Sequence, residues 1–298
     1  MKIELININK SFDQKHVLKN ISFSITGGKS LGLLGRNGAG KTTTIRILTN
    51  IFSADSGDIL VHGEKINYDK VQIGYLPEER GLYPKIKVID QLIYFARLKG
   101  LKRKEAIQSI DYWLDTLHMQ EYRNKRLSTL SKGNQQKIQL ITAIAVNPDI
   151  VILDEPFSGL DPVNAILLKE AVFEIIKKGK IVIFSSHQMS YIEEFCDDIA
   201  ILKNGEIVLQ GNLKEIIRSY PRSKLVVKSD CNQKICDEIS LESQIEKDEL
   251  IITLPSPDDK AAVMKMLCDA YSVDAIRVYE PSLNDIFVEY TQDNTQGD

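Results

Sequence analysis

Apolar and polar positions alternate near the N-terminus. Ile3, Leu5 and Ile8, then Ile21, Phe23 and Ile25, stand on either side of a turn around Asp13 and Lys15. Period-two alternation predicts short, half-buried strands. Residues 29–34 (KSLGLL) form a mostly apolar run that leads into a glycine-rich turn, and residues 42–48 then have helical character. Strand, glycine loop and helix make the first half of a β-α unit. Between 85 and 146 the period changes. Residues 88–98 and 104–117 carry apolar side chains at helical spacing, Ile107, Ile110, Trp113, Leu114 and Leu117 among them, and a third helix is expected over about 131–146. This stretch reads as a helical insertion within an α/β domain. Two apolar runs follow, 150–153 and 181–184, separated by a helix around 165–177. Buried parallel strands have this appearance. Residues 199–202 and 207–209 flank Lys203-Asn204-Gly205, a hairpin signal.

One more helix is expected after Gly211, and Tyr220-Pro221-Arg222-Ser223 reads as a linker. Beyond it, strands at 225–227, 250–254 and 275–278 alternate with helical segments at 259–271 and 283–290. The reading is therefore two domains, 1–218 and 223–298, the second a small α+β domain for which a ferredoxin-like arrangement is one expectation. The length of 298 residues suits two domains. Charge separates them as well. The whole chain stands at −3, but from Ser223 onward 7 basic and 16 acidic residues leave −9, so the first 222 carry +6. Neither the near-balance nor the acidic end suits a nucleic-acid binder. No apolar run approaches the 18 or so residues of a membrane span, and the first residues lack a signal-peptide core. Cys231 and Cys236 are too far apart for a CxxC pair and no histidine pair completes a zinc site, so the four cysteines are expected to be reduced, mostly buried cytosolic thiols.

The chemistry concentrates in two short stretches. Residues 35–42 read GRNGAGKT, which fits G-x-x-x-x-G-K-[ST]. Glycines at Gly35, Gly38 and Gly40 let the backbone turn tightly, so that the N–H groups of Asn37, Gly38, Ala39 and Gly40 can point inward at anionic oxygens. The helix that follows, with Thr42 and Thr43 in its first turn, adds its positive end. Lys41 supplies a mobile charge for the β- and γ-phosphates, and the Thr42 hydroxyl can ligate Mg2+. The second stretch is the apolar run 150–153 ending in Asp154 and Glu155. Asp154 is expected in the Mg2+ shell, and Glu155 is expected to polarise the attacking water, a role that phosphate-loop hydrolysis requires of some residue.

With these motifs in place, residues 2–215 resemble the ATP-binding subunits of ABC transporters. Leu130-Ser131-Lys132-Gly133-Asn134-Gln135 resembles the family's signature, Ser158-Gly159-Leu160-Asp161 its D-loop, His187 its switch histidine, and Phe12 the aromatic that stacks on adenine. The resemblance implies a P-loop NTPase fold of ABC type, with a mixed sheet core, N-terminal antiparallel strands and an α-helical subdomain over about 85–146. It also implies that two domains pair head to tail around two ATP molecules. Ser131 and Gly133 of one would face the γ-phosphate on the other, and His187 would bridge that phosphate and the partner's D-loop. The chain departs from the pattern in two places. Lys132 and Asn134 stand in the signature where the family has glycine and glutamine, and Glu78 stands where it has a glutamine that senses Mg2+. A glutamate can still ligate Mg2+.

The extra C-terminal domain, Ser282-Leu283-Asn284-Asp285-Ile286-Phe287 near its end, and the stretch YLPEERGLYP at 75–84 resemble a subgroup of bacterial efflux ATPases that includes sodium-export and drug- or antibiotic-export members. That implies ATP hydrolysis driving export through a separate integral membrane permease, beside a second ABC ATPase subunit, identical or paralogous. The chain would then be cytoplasmic, held at the inner face of the membrane by the permease, with no nucleic-acid partner. The residues around Leu82, Tyr83, Pro84 and Ile86 would form part of the permease groove, with packing into the core as the competing reading. The alternative reading is a soluble ABC ATPase acting on ribosomes or nucleic acid; a third is a regulatory protein that binds ATP and barely hydrolyses it.

Overall fold

The computed structural model describes residues 1–79, 81–186 and 188–292. β1 (Lys2–Phe12) and β2 (Lys15–Thr26) pair antiparallel, with Ile3, Leu5, Ile8, Ile21, Phe23 and Ile25 buried, as the alternation requires. β3 (Ser30–Gly35), buried along its whole length, leads through the glycine turn into α1 (Lys41–Leu48). β4 (Ser56–Val61) then returns to pair with β1, and β5 (Glu64–Lys65) completes a four-stranded sheet of order β2-β1-β4-β5.

The chain next lays down β6 (Ile73–Leu76) and enters the helical region of α2 (Val88–Leu98), α3 (Arg103–Thr116) and α4 (Lys132–Ile144). It continues through β7 (Ile150–Asp154), α5 (Pro162–Lys177), β8 (Ile181–Ser185), α6 (Met189–Phe195), β9 (Asp198–Lys203), β10 (Glu206–Asn212) and α7 (Leu213–Ser219). The second sheet has the order β10-β9-β3-β8-β7-β6, parallel throughout except for the antiparallel edge strand β10. Leu31, Leu33, Ile150, Ile152, Ile181 and Ile183 pack into one core with the N-terminal sheet and α1. Their neighbours along the strands are buried as well. Burial on both faces is what makes these strands read as continuous apolar runs. Leu33 and Asp154 both pair with Ser185, so the chain leaves β3, β7 and β8 at one level. In an open parallel sheet that carboxyl edge is where ligands bind.

A second unit covers residues 214–286, while 1–213 and the segment from Phe287 form the first. The sequence reading drew this division at 218–223 and kept the whole C-terminal segment in the accessory domain. In the structure, the Lys203 ammonium donates to the Gln292 carbonyl at 2.6 Å, which ties the final segment to the first unit. The second unit runs β11 (Lys224–Lys228), α8 (Asn232–Glu238), β12 (Ser243–Glu246), β13 (Glu249–Thr253), α9 (Lys260–Ala270) and β14 (Ala275–Val278), followed by the start of α10 (Leu283–Thr291). Its antiparallel sheet has the order β12-β13-β11-β14. That is the βαββαβ arrangement of ferredoxin-like folds, built over Leu225, Val227, Ile235, Leu250, Ile252, Leu254 and Leu267.

None of the four cysteines is bridged. Only Cys196 is buried, and burial pushes its thiol well above the ordinary range. Cys231 and Cys236 are half-buried and Cys268 is exposed, which corrects the expectation of mostly buried thiols. Cys268 sits on α9, a helix of which Leu267 is the one fully buried residue, so most of that helix faces outward. No helix among the described residues is long and apolar enough to cross a membrane.

Candidate nucleotide-binding site

Gly38 and Gly40 hold the phosphate loop in backbone conformations that other residues adopt at a cost, with φ of 82° and 113°. At Gly40 a side chain is excluded twice over, because a Cβ would also lie 2.6 Å from Leu18 Cδ2. Gly40 caps α1 without any side-chain hydrogen bond, and the first turn of the helix holds no acid. The first N–H groups of α1 are therefore left to an anion from outside. The Lys41 ammonium folds back and donates to the Gly35 carbonyl at 2.6 Å. Burial lowers its pKa, and the charges of Glu155, Asp154 and Glu78 oppose that shift.

Beside the loop lies a cavity of about 710 Å³, within the range usual for small-molecule sites. Asn37, Gly38, Gly40, Lys41, Thr42 and Thr43 line it from the loop and α1. Glu78, Asp154 and Glu155 line it from the ends of β6 and β7. Gly35 closes β3, and Ala39 lines an adjoining cavity. The sequence thus brought nine of its candidate residues to one wall. It did not foresee Lys15, Val17, Arg36 and Ser185, which complete the lining. Lys15 and Val17 arrive only because the β1–β2 hairpin folds over the loop.

The acid end is built by strand geometry. Asp154 is the last residue of β7 and is 4% exposed. Burial raises its carboxyl pKa, and the charges of Glu78 and Glu155 raise it further. The Tyr75 hydroxyl approaches Asp154 Oδ2 at 3.5 Å, and burial, then the Asp154 charge, pushes that phenol up to about 12. Glu155 takes a left-handed conformation, φ 50°, uncommon for a residue other than glycine. Its N–H donates to the Ser185 carbonyl at 2.8 Å, and its Oε2 accepts from Ser186 Oγ at 3.1 Å. The turn frees Glu155 from strand alternation, and both acids line one cavity. Strain of this kind collects at functional sites.

The raised Asp154 carboxyl has a consequence for stability. A carboxyl that folding makes harder to ionise opposes folding wherever it is ionised, and the opposition disappears below about pH 4, where the unfolded carboxyl is protonated too. Asp154→Asn is expected to raise the melting temperature of the nucleotide-free protein at neutral pH by about 2 °C. The gain should vanish towards pH 4. Calorimetry across that range checks both, and a variant that melts lower at pH 7 would contradict the assignment.

Three other expected positions lie away from this wall. Phe12 is 39% exposed at the end of β1. Its ring meets Phe52 edge-on, with centroids 5.4 Å apart, and lies under the Lys10 ammonium. Ser131 caps α4, its hydroxyl accepting from the Asn134 N–H at 3.3 Å. Gly133 is buried against the start of α5, where a Cβ would stand 3.2 Å from Asn164 Nδ2 and 3.4 Å from Leu160 Cδ2. His187 lies outside the described residues.

The lining suits a magnesium nucleotide. The Thr42 hydroxyl and the carboxylates of Asp154 and Glu78 are hard oxygen donors. Among the described residues, no group of three or more His, Cys, Asp or Glu side chains could hold a metal by themselves. A hydroxyl, one or two carboxylates and the nucleotide's own phosphates are how Mg2+ is ordinarily bound.

A parallel sheet that delivers a glycine loop and a buried acid pair to its carboxyl edge defines a P-loop nucleoside triphosphatase. Residues 18–158 match the ABC transporter family, and residues 211–291 match the C-terminal domain of DrrA1-3-like ATP-binding proteins. The uncharacterized ABC transporter ATP-binding protein YhaQ of Bacillus subtilis is 43% identical over 286 residues, covering 95% of this chain and 96% of the relative. The linearmycin resistance ATP-binding protein LnrL of the same organism is 30% identical over 300 residues, covering 96% of each. A solved ATP-binding subunit of an ABC transporter superposes with a TM-score of 0.67 at 29% identity, covering 73% of this chain and 92% of that one. The chain belongs to the family of ABC transporter ATP-binding proteins, ATPases whose hydrolysis is coupled to transport.

Proposed function

We propose that this chain hydrolyses ATP to energise a separate membrane permease that exports its substrate. The observation that carries the chemistry is the meeting of Lys41, Thr42, Glu78, Asp154 and Glu155 at one cavity. The C-terminal match to DrrA1-3-like proteins, and a full-length relative whose name records linearmycin resistance, support the efflux direction.

The roles follow from the groups. Loop N–H groups and Lys41 bind the phosphates, and Thr42, Asp154 and Glu78 hold the cation. Mg2+, when bound, draws negative charge from the phosphates. Glu155, kept in place by Ser186 and by its own backbone turn, accepts a hydrogen bond from the attacking water and aligns it. Phe12, next to the turn that brings Lys15 and Val17 to the cavity, offers an exposed ring to the adenine. Ser131 and Gly133 serve the ATP on a second cassette across a head-to-tail dimer, and His187 contacts the γ-phosphate. The chain then sits at the inner face of the membrane through its permease.

Permease docking is assigned to the apolar surface around Tyr83. Tyr83 is 53% exposed and stacks on Phe95, and Ile86, Tyr94 and Leu98 are exposed as well. The test is a tagged pull-down from detergent-solubilised membranes of the host, with mass spectrometry of what co-purifies. A stoichiometric polytopic membrane protein is expected, and Tyr83→Asp should lower its recovery about tenfold. Recovery with ribosomal proteins or nucleic acid instead would overturn the transporter reading. Unchanged recovery with Tyr83→Asp would move the docking surface elsewhere.

A further inference from the structure

α4 carries two buried glutamines one turn apart, Gln136 and Gln139, and both donate to backbone carbonyls of the acidic loops. Gln136 Nε2 donates to the Pro156 carbonyl at 3.3 Å, directly after Glu155. Gln139 Nε2 donates to the Pro77 carbonyl at 3.2 Å and to the Glu79 carbonyl at 3.1 Å, the two residues on either side of Glu78. The amide orientation is forced, because flipping it would set its oxygen against two carbonyl oxygens. That orientation leaves Gln139 Oε1 buried without a hydrogen-bond partner. The side chain thus serves two loop carbonyls while leaving one acceptor of its own unanswered, which marks the contact to the loop as its role at this buried position.

We propose that Gln139 is a positioning residue for Glu78: its amide straps the loop on both sides of that carboxylate and so fixes it at the cation end of the cavity. The proposal rests on the reading of Glu78 as a cation-holding group. A four-residue edge strand ends at Leu76, two residues before Glu78. The strap comes from a thirteen-residue helix and anchors that loop from the helical layer. Through Gln136 and Gln139, one helix sets the backbone of both loops that carry the reacting acids. Losing a group that orients a metal ligand typically costs about 10- to 100-fold in metal affinity.

The test uses the full chain with a non-hydrolysable ATP analogue bound. Mn2+ replaces Mg2+, and the free ion is followed by electron paramagnetic resonance. Gln139→Met keeps the side-chain length and removes the donor. It is expected to weaken Mn2+ binding about tenfold, while affinity for the analogue without metal stays within about twofold. In a Glu78→Ala background the same substitution should add nothing, which a merely structural role would not produce. Should Gln139→Met lose its cooperative melt, Gln139→Asn, which keeps the amide one methylene short, takes its place with the same expected outcome. Parent-like Mn2+ affinity in the Gln139 variant, with weakened affinity in Glu78→Ala, overturns the strap. Parent-like affinity in Glu78→Ala overturns the reading of Glu78 itself, and the strap with it.

Discussion

Glu155→Gln is expected to stop ATP turnover while leaving ATP binding intact. The substitution preserves size, so Ser186 Oγ can still donate to the side-chain carbonyl, and the backbone bond to Ser185 is untouched. What disappears is the negative charge that draws the water's proton and lines the water up. Removing a positioned general base costs about 10²- to 10⁴-fold in rate, or roughly 3–5 kcal/mol in the barrier. Binding changes little, because the contacts that hold the phosphates come from the loop, Lys41 and Thr42. If anything the cavity becomes kinder to a polyanion, since one of its three acids is gone. ATP that binds and cannot be split should therefore hold two cassettes closed. Phosphate release, nucleotide titration and light scattering read the three consequences separately. Turnover within tenfold of the parent would remove Glu155 from its assigned role.

The parts of this site that the sequence made legible are those in which one short segment does a whole job. The phosphate loop is such a segment: its conformation depends on Gly38 and Gly40, and its ligand groups are mostly its own N–H groups. The acid pair is another, because a fully buried strand must end abruptly when it meets the cavity. Residues whose role depends on a distant partner stayed hidden. Gln139 touches Pro77 and Glu79 about sixty positions away, and on its own helix it reads only as a polar residue at a buried position. Lys15 is an ordinary hairpin lysine until the hairpin is laid over the loop.

The same distinction runs through the fold. β3, β7 and β8 announced themselves because both faces are buried. β4 and β6 did not: β4 fully buries only Ile59, and β6 is a half-buried edge of four residues. In the second unit, β11, β13 and β14 were readable. β12, mostly exposed, and α8, of seven residues, were not. The ferredoxin-like topology needs those two elements, so the sequence could offer it only as an expectation.

Lys41→Ala is expected to raise the ATP dissociation constant about 100-fold, a loss of roughly 3 kcal/mol. Two effects add. The variant loses a charge-assisted contact with the phosphates, and it removes the ammonium that balances the charges of Glu155, Asp154 and Glu78 beside a polyanion. Before nucleotide arrives, Lys41 is held by the Gly35 carbonyl, so binding exchanges one good hydrogen bond for a stronger one and strands no donor. Lys41→Arg should restore little, because a planar, longer guanidinium does not fit where a compact ammonium reaches back along the loop. The folded state should survive. Burial already penalises the charged lysine, and losing that penalty offsets part of the lost attraction to the acids. Fluorescence titration with ATP and Mg2+, read beside thermal melts, separates the two quantities. The affinity gap between parent and variant should narrow as salt rises, because the missing interaction is a charge–charge one. An ATP affinity within threefold of the parent would mean that the loop N–H groups alone hold the nucleotide.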